Sequence, residues 1–127
     1  MDPIRALIVD DEGQFVEAIV ERLQLRGFDA DGVTNGQEAV EMLSHRPPYD
    51  VVLLDVKMPG LGGLGVIKQI KEKWPRLQVV LLTGHGSEQD AEEGMQLGAF
   101  KYVMKPVNIE SLIGILRAAS EHDEDDA

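Results

Sequence analysis

The sequence contains 127 residues, of which 43% are hydrophobic, and carries a formal net charge of −11 at pH 7. This length suits one domain with its own hydrophobic core. The sequence has no cysteine, which excludes disulfide bonds and thiolate metal sites, and no apolar run reaches the length of about 20 residues that crosses a bilayer. Because the charge is acidic and no secretory signal precedes the first apolar run, we expect a cytoplasmic protein that contacts neither nucleic acid nor membrane directly.

Apolar runs of strand length alternate with segments of helical spacing along the chain. The predicted strands cover residues 6–9, 28–33, 51–54, 79–82 and 100–104. The first predicted helix ends at Gly27, a residue that readily adopts a left-handed conformation. The second begins at Thr34, which forms a capping box with Gln37, and stops before Pro47 because proline cannot continue a helix.

The remaining helices are predicted from their spacing and their caps. A third helix covers residues 64–74, Ser87 caps a fourth, and Asn108 caps a fifth. Gly94 lies inside the fourth helix and costs about 1 kcal/mol relative to alanine. This helix is therefore predicted to be marginally stable.

The order of these elements predicts the class of fold. Five strands alternate with five helices, and the central strands are apolar on both faces, which is typical of a parallel sheet covered by helices on both sides. We therefore expect a doubly wound α/β domain over residues 1–120. Residues 121–127 contribute five negative charges and are expected to form a solvated, disordered acidic tail.

Polar side chains end four of the apolar runs. They are Asp10 and Asp11 after the first run, Asp55 after the third, Thr83 after the fourth and Lys105 after the fifth. Open α/β sheets bind ligands at this carboxyl edge, so we expect these side chains to share one crevice. Three carboxylates in one crevice require a cation, and an all-oxygen ligand set favours Mg²⁺. Any one of these aspartates also suits a turn or a helix cap, so the prediction depends on their joint placement.

These motifs resemble the receiver domains of two-component response regulators, from about residue 5 to residue 119. The segment IVDDE is similar to the acidic pair of that family, VVLLDVKMPG to its phosphoacceptor strand and loop, LLTGHG to its switch hydroxyl, and YVMKP to its switch aromatic with the following lysine and proline. The resemblance implies a flavodoxin-like sheet with strand order 2-1-3-4-5, an order for which receivers are a standard example. It also implies a phosphorylation-dependent regulator rather than an enzyme that acts on external substrates.

The resemblance assigns the metal site residue by residue. Asp55 is the phosphoacceptor. Asp11, Asp55 and the backbone carbonyl of Lys57 bind Mg²⁺ directly, and Asp10 holds it through water. The phosphoryl donor is a histidine kinase or a histidine phosphotransfer protein.

The same resemblance assigns the switch. Thr83 and Lys105 contact the phosphoryl oxygens, the peptide bond between Lys105 and Pro106 is cis, and Tyr102 is the switch aromatic. Tyr102 also suits a static core residue. The responsive surface consists of the fourth helix, the fifth strand and the fifth helix, and it is a possible homodimer interface.

Two residues distinguish this sequence, and two other classes of protein remain open. Lys57 lies two residues after Asp55, and His85 lies two residues after Thr83. Each of them either overlooks the site or belongs to the solvated surface.

Phosphohydrolases that resemble haloacid dehalogenases place an acidic residue two positions after the nucleophile, where Lys57 stands here. A flavodoxin-like FMN module needs a first loop that cradles phosphate, whereas DDEGQ would repel it.

Overall fold

The computed structural model describes residues 2–46, 48–58, 60, 62–84 and 86–122. These residues form five strands and five helices in strict alternation. The elements are β1 (Arg5–Val9), α1 (Gly13–Gln24), β2 (Asp29–Val33), α2 (Gly36–His45), β3 (Val51–Asp55), α3 (Gly62–Lys73), β4 (Gln78–Thr83), α4 (Glu88–Gln96), β5 (Lys101–Met104) and α5 (Ile109–Glu121). All neighbouring strands pair in parallel, in the order β2-β1-β3-β4-β5, as predicted.

The hydrophobic core lies on both faces of the sheet, because alternate residues of the central strands point to opposite sides. In β1, Leu7 and Val9 pack with the buried faces of α2 and α3, while Ala6 and Ile8 pack with those of α1 and α5. Every residue of β3 and β4 is buried. This two-sided burial holds the carboxyl ends of the strands in fixed positions.

The helix ends agree with the predicted caps at Gly27 and Asn108 and differ at Thr34. Ser87 stands at the N-cap of α4 as predicted, but its side chain makes no capping hydrogen bond within the described residues. Gly27 follows α1 with a φ of +88°, and the Asn108 side chain caps α5 by accepting a hydrogen bond from the backbone N–H of Ser111. The predicted capping box at Thr34 is wrong. The cap of α2 is Asn35, whose side chain accepts a hydrogen bond of 2.8 Å from the backbone N–H of Glu38, so the helix starts later than predicted.

Several predictions fall on residues outside the described part of the chain. They concern the stop of α2 at Pro47, the role of His85 and most of the acidic tail, residues 123–127. Within the described residues, every helix is too short or too polar to cross a membrane.

Gly94 is a packing requirement of α4 and not only a weak point in it. A Cβ atom at this position would lie 2.2 Å from Leu81 Cδ1 and 3.6 Å from Leu64 Cδ2. Leu81 is fully buried in β4, so it has little room to move away. The glycine therefore allows α4 to approach the sheet closely.

We expect Gly94→Ala to lower the free energy of unfolding by about 1–3 kcal/mol, because the added methyl group overlaps a buried leucine. Gly114→Ala in α5 is the matched control, since apart from its chain neighbours and the backbone of its own helix no described atom comes within 4 Å of its Cβ position. Helix propensity should make this control more stable by up to about 1 kcal/mol. Urea unfolding of both variants measures the difference, and a similar gain in stability for both would contradict the close approach of α4.

Candidate functional site

The carboxyl edge of the sheet brings the predicted polar residues together. Asp10 directly follows β1, while Asp55 and Thr83 are the last residues of β3 and β4. The backbone N–H of Lys105 donates a hydrogen bond of 2.8 Å to the carbonyl of Thr83, which holds the end of β5 beside that of β4. The crevice predicted from the strand ends is therefore present in the structure.

Three carboxylates form a compact cluster in this crevice. One oxygen from each of Asp10, Asp11 and Asp55 lies within 4.8 Å of the others. Asp10 is fully buried, Asp55 is 5% exposed, and Asp11 is exposed. An acidic cluster made only of oxygen ligands, with one open side, fits a hard divalent cation such as Mg²⁺.

Hydrogen bonds from backbone N–H groups hold the two buried carboxylates. Asp10 Oδ1 accepts a hydrogen bond of 2.9 Å from the backbone N–H of Glu12, and Asp55 Oδ1 accepts one of 3.2 Å from the backbone N–H of Lys57. Both bonds belong to the loops that follow the strands. The loops therefore orient acidic side chains that stand at or directly after the strand ends.

The environment of Asp55 opposes its ionisation. Burial, followed by the nearby charge of Asp10, raises the pKa of Asp55 to about 6, although the hydrogen bond from Lys57 and the charge of Lys105 act in the opposite direction. Asp11 adds a further increase. A carboxylate in this position gains from any cation that binds beside it.

The ammonium group of Lys105 reaches into the same crevice. Its Nζ lies 2.8 Å from Asp10 Oδ2, 3.1 Å from Glu12 Oε1 and 4.7 Å from the centre of the Phe15 ring. Burial alone would lower the pKa of Lys105, but its contacts with the Asp10 and Glu12 carboxylates raise that pKa above the ordinary value. The side chain of Lys105 is therefore positively charged. The peptide bond between Lys105 and Pro106 is cis.

Glu12 and Phe15 were missed as site residues by the sequence analysis. Glu12 stands next to the acidic pair, which was a usable signal, but Phe15 has the spacing of an ordinary residue on the buried face of α1. Their contact with Lys105 joins positions about ninety residues apart in the chain, a proximity that local sequence patterns do not reveal.

Thr83, the last residue of β4, carries a hydroxyl group that has no hydrogen-bond partner among the described residues. Its side chain is fully buried, and its Oγ1 atom makes no hydrogen bond within that part of the chain. A buried hydroxyl without a partner costs free energy, so such groups often have a functional explanation. Thr83 can donate to an oxygen that enters the site.

The remaining predicted residues lie at the surface. Tyr102 on β5 is 43% exposed, so it is not a static core residue. Met95 and Met104 are also unusually exposed for large apolar side chains, at 37% and 47%. The Lys57 side chain is exposed beside the acidic cluster.

The start of α3 packs directly against the backbone of Asp55. A Cβ atom on Gly63 would lie 2.3 Å from the carbonyl oxygen of Asp55, and the Gly63 N–H donates a hydrogen bond to the carbonyl of Val56. Gly63 is therefore needed for close packing beside the site.

The family model of the response regulator receiver domain matches residues 6–117. The chain therefore belongs to the response regulator receiver domain family. Receiver domains are regulatory phosphoacceptor domains of two-component systems rather than classical enzymes, and they interact with histidine kinases or phosphotransfer proteins.

Individual relatives show the same relationship. The chain is 35% identical over 115 residues to the DNA-binding transcriptional regulator NtrC of Escherichia coli (strain K12), a match that covers 91% of this chain and 24% of that protein. It is 33% identical over 123 residues to a putative NtrX-like response regulator of Rickettsia felis, covering 95% of this chain and 26% of that protein. The chain thus spans about a quarter of the length of these relatives.

Comparison with solved structures confirms the fold. A response regulator receiver domain protein from Clostridium thermocellum superposes with a TM-score of 0.87 at 31% identity, covering 92% of this chain and 94% of that chain. The flavodoxin-like arrangement predicted for this chain is therefore correct.

The raised pKa of Asp55 predicts how stability depends on pH. The pKa of Asp55 is about 6 in the folded chain, against an ordinary value of 3.8 that applies to the unfolded chain. Between these two pH values the folded chain binds the proton more strongly, so the free energy of unfolding falls as pH rises through that interval. In the absence of divalent cations, we expect Asp55→Asn to raise the free energy of unfolding by about 2–3 kcal/mol above pH 6. The gain should shrink toward zero near pH 4.

Urea unfolding of both proteins across this pH range measures the effect. Asp50→Asn, at the exposed opposite end of β3, is the control and should show no gain that grows with pH. A stability difference between Asp55→Asn and the native chain that is independent of pH would contradict the electrostatic explanation.

Proposed function

We propose that this chain accepts a phosphoryl group on Asp55 from a histidine kinase or histidine phosphotransfer protein, in a Mg²⁺-dependent reaction, and that phosphorylation changes the surface formed by α4, β5 and α5. The observation that carries this proposal is the arrangement at the carboxyl edge of the sheet. There, the buried Asp55 shares one crevice with two further carboxylates and the charged Lys105. The Thr83 hydroxyl, at the end of the neighbouring strand, has no hydrogen-bond partner among the described residues.

The acidic cluster is the proposed metal site. Asp11, Asp55 and the backbone carbonyl of Lys57 would hold Mg²⁺ directly, and Asp10 would hold it through water. The metal would offset the negative charge of the incoming phosphoryl group. The buried position of Asp10 and Asp55 supports this assignment, because neither carboxylate can be screened fully by solvent.

The proposed transfer uses Asp55 as a nucleophile. One of its carboxylate oxygens forms a bond to phosphorus while the bond between phosphorus and the donor histidine nitrogen breaks, and the electron pair of that bond returns to the nitrogen. Lys105 offsets charge on the phosphoryl oxygens, and Thr83 donates a hydrogen bond to one of them. Catalysis of this kind depends mainly on position and electrostatics, which the rigid strand ends supply.

The proposed switch links Thr83 to Tyr102. Movement of the Thr83 hydroxyl toward a phosphoryl oxygen would vacate space beside β5, where Tyr102 is half exposed and free to change its orientation. Exposed Met95 and Met104 lie on the same responsive surface, which also supports its use as a homodimer interface. A two-state element of this type needs a bias of only a few kcal/mol.

We further propose that the receiver domain acts in the cytoplasm and that an acidic tail follows it. The predicted boundary at residue 120 falls inside α5, which runs to Glu121, so the domain extends at least one residue further than predicted. Its net charge of −11 supports the absence of direct nucleic-acid and membrane contacts by this domain. The DNA-binding regulator of similar sequence is about four times as long, so its DNA binding does not transfer to this part.

The rival functions have less support. A phosphohydrolase of the haloacid dehalogenase type would need an acidic group two residues after Asp55, where Lys57 stands. An FMN module would place phosphate in the first loop, next to Asp10, Asp11 and Glu12. Both arrangements conflict with the charges present.

The phosphoacceptor role predicts a specific labelling result. Incubation with Mg²⁺ and a small phosphodonor should add one phosphoryl group, detected by intact mass, because Asp55 is the carboxylate flanked by the charged lysine and the hydroxyl. Asp55→Asn and removal of Mg²⁺ by a chelator should each abolish the addition. Asp50→Asn is the matched control and should be labelled normally, and equal labelling of Asp55→Asn would show that another residue is the acceptor.

Lys57 is predicted to lengthen the lifetime of the phosphoryl group. Its exposed side chain follows the acceptor by two residues and can reach over the added negative charge, which restricts the approach of water. We expect the phosphorylated Lys57→Met variant to lose its phosphoryl group about two- to tenfold faster than the native chain at fixed Mg²⁺. Lys68→Met on α3 provides the charge-matched control. Equal rates for native chain and Lys57→Met would assign Lys57 to partner recognition or to solvated surface.

A further inference from the structure

The ammonium group of Lys105 has a second carboxylate neighbour that the proposed function does not use. Asp10 Oδ2 lies 2.8 Å from Nζ and Glu12 Oε1 lies 3.1 Å from it. The ring of Phe15 covers the same ammonium group, with its centre 4.7 Å away. Lys105 is thus held in place before any phosphoryl group is present.

The two carboxylates differ in how freely they can leave Lys105. Asp10 is fully buried and is fixed by the hydrogen bond from the Glu12 backbone. The Glu12 side chain is 67% exposed, and Glu12 does not belong to the group of carboxylates that can share a metal ion. Glu12 can therefore turn into solvent without disturbing the fold, whereas Asp10 cannot.

We propose that Glu12 is a positioning residue that holds Lys105 in the unphosphorylated state and competes with the phosphoryl oxygens for its ammonium group. This inference rests on the proposed function of Asp55. When a phosphoryl group is present, Lys105 shifts its charge toward the new oxygens and the Glu12 carboxylate turns to water. Phe15 keeps the lysine head beside the crevice in both states, because a cation remains attracted to a ring face.

The position of Glu12 makes it suited to this competition. An exposed ion pair is weak and screened by salt, so a doubly charged group in the crevice can displace it. A buried partner at the same distance would be much harder to displace. Glu12 thus sets how readily Lys105 responds to phosphorylation, and it lowers the affinity of the site for a phosphoryl group.

The experiment measures binding of beryllium fluoride, a mimic of the phosphoryl group, to the full chain in the presence of Mg²⁺. We expect Glu12→Gln to bind the mimic about two- to fivefold more tightly than the native chain, because the competing charge is gone. Glu17→Gln makes the same change of charge at an exposed position of α1 and should have no comparable effect. A gain of equal size in Glu17→Gln would overturn the inference.

A double-mutant cycle tests whether Glu12 acts through Lys105. In a Lys105→Ala background, Glu12→Gln should no longer increase the affinity for the mimic, and a gain that persists there would overturn the inference. A second readout needs neither metal nor mimic. Glu12→Gln should shift the NMR signal of the Lys105 ammonium group in the free protein, and an unchanged signal would contradict the contact.

The outcomes separate this inference from the proposed function. If the native chain binds the mimic but Glu12→Gln binds it with unchanged affinity, only the role of Glu12 is overturned. If the native chain does not bind the mimic at all, the proposed function of the crevice fails, and the role of Glu12 fails with it.

Discussion

The repulsion among carboxylates at one edge of the sheet is the constraint on which the site depends. Asp10 and Asp55 are held in place by a core that packs both faces of the sheet, so they cannot move apart to relieve their mutual repulsion. Burial, and after it the charge of Asp10, raises the pKa of Asp55 to about 6, so the repulsion adds to the cost of removing this carboxylate from water. These buried carboxylates therefore lower the stability of the fold, and they form a site that favours cations and the chemistry that cations support.

The positive charge of Lys105 balances this repulsion and also connects the resting site to its proposed response. In the structure the lysine is shared between a buried carboxylate of Asp10 and an exposed carboxylate of Glu12. Thr83 ends the strand next to that of Asp55, and its hydroxyl has no hydrogen-bond partner in the part of the chain that the structure describes. A group that supplies new oxygens there would give both Lys105 and Thr83 better partners, which is the type of differential interaction that shifts a protein between two states.

Close packing around the site limits how the rest of the domain can respond. Gly63 brings the start of α3 against the backbone of Asp55, and Gly94 brings α4 against Leu81 in β4. Packed contacts of this kind resist gradual deformation and favour movement between discrete arrangements. The residues of β5 are largely exposed, Tyr102 among them, which agrees with the proposed change of surface there.

The sequence by itself determined the elements, the fold class and the aspartates, threonine and lysine of the crevice, because apolar periodicity and polar residues at strand ends are local patterns. Tertiary structure decided which groups meet. The contact of Glu12 with Lys105 depends on how distant segments pack, and so does the lack of a partner for the Thr83 hydroxyl among the described residues. The need for glycine at position 94 has the same origin. The cap of α2 is Asn35 instead of Thr34 because the Asn35 side chain accepts the hydrogen bond from the backbone N–H of Glu38. Local patterns carry no information about such distances, since these arise only when the helices pack against the sheet.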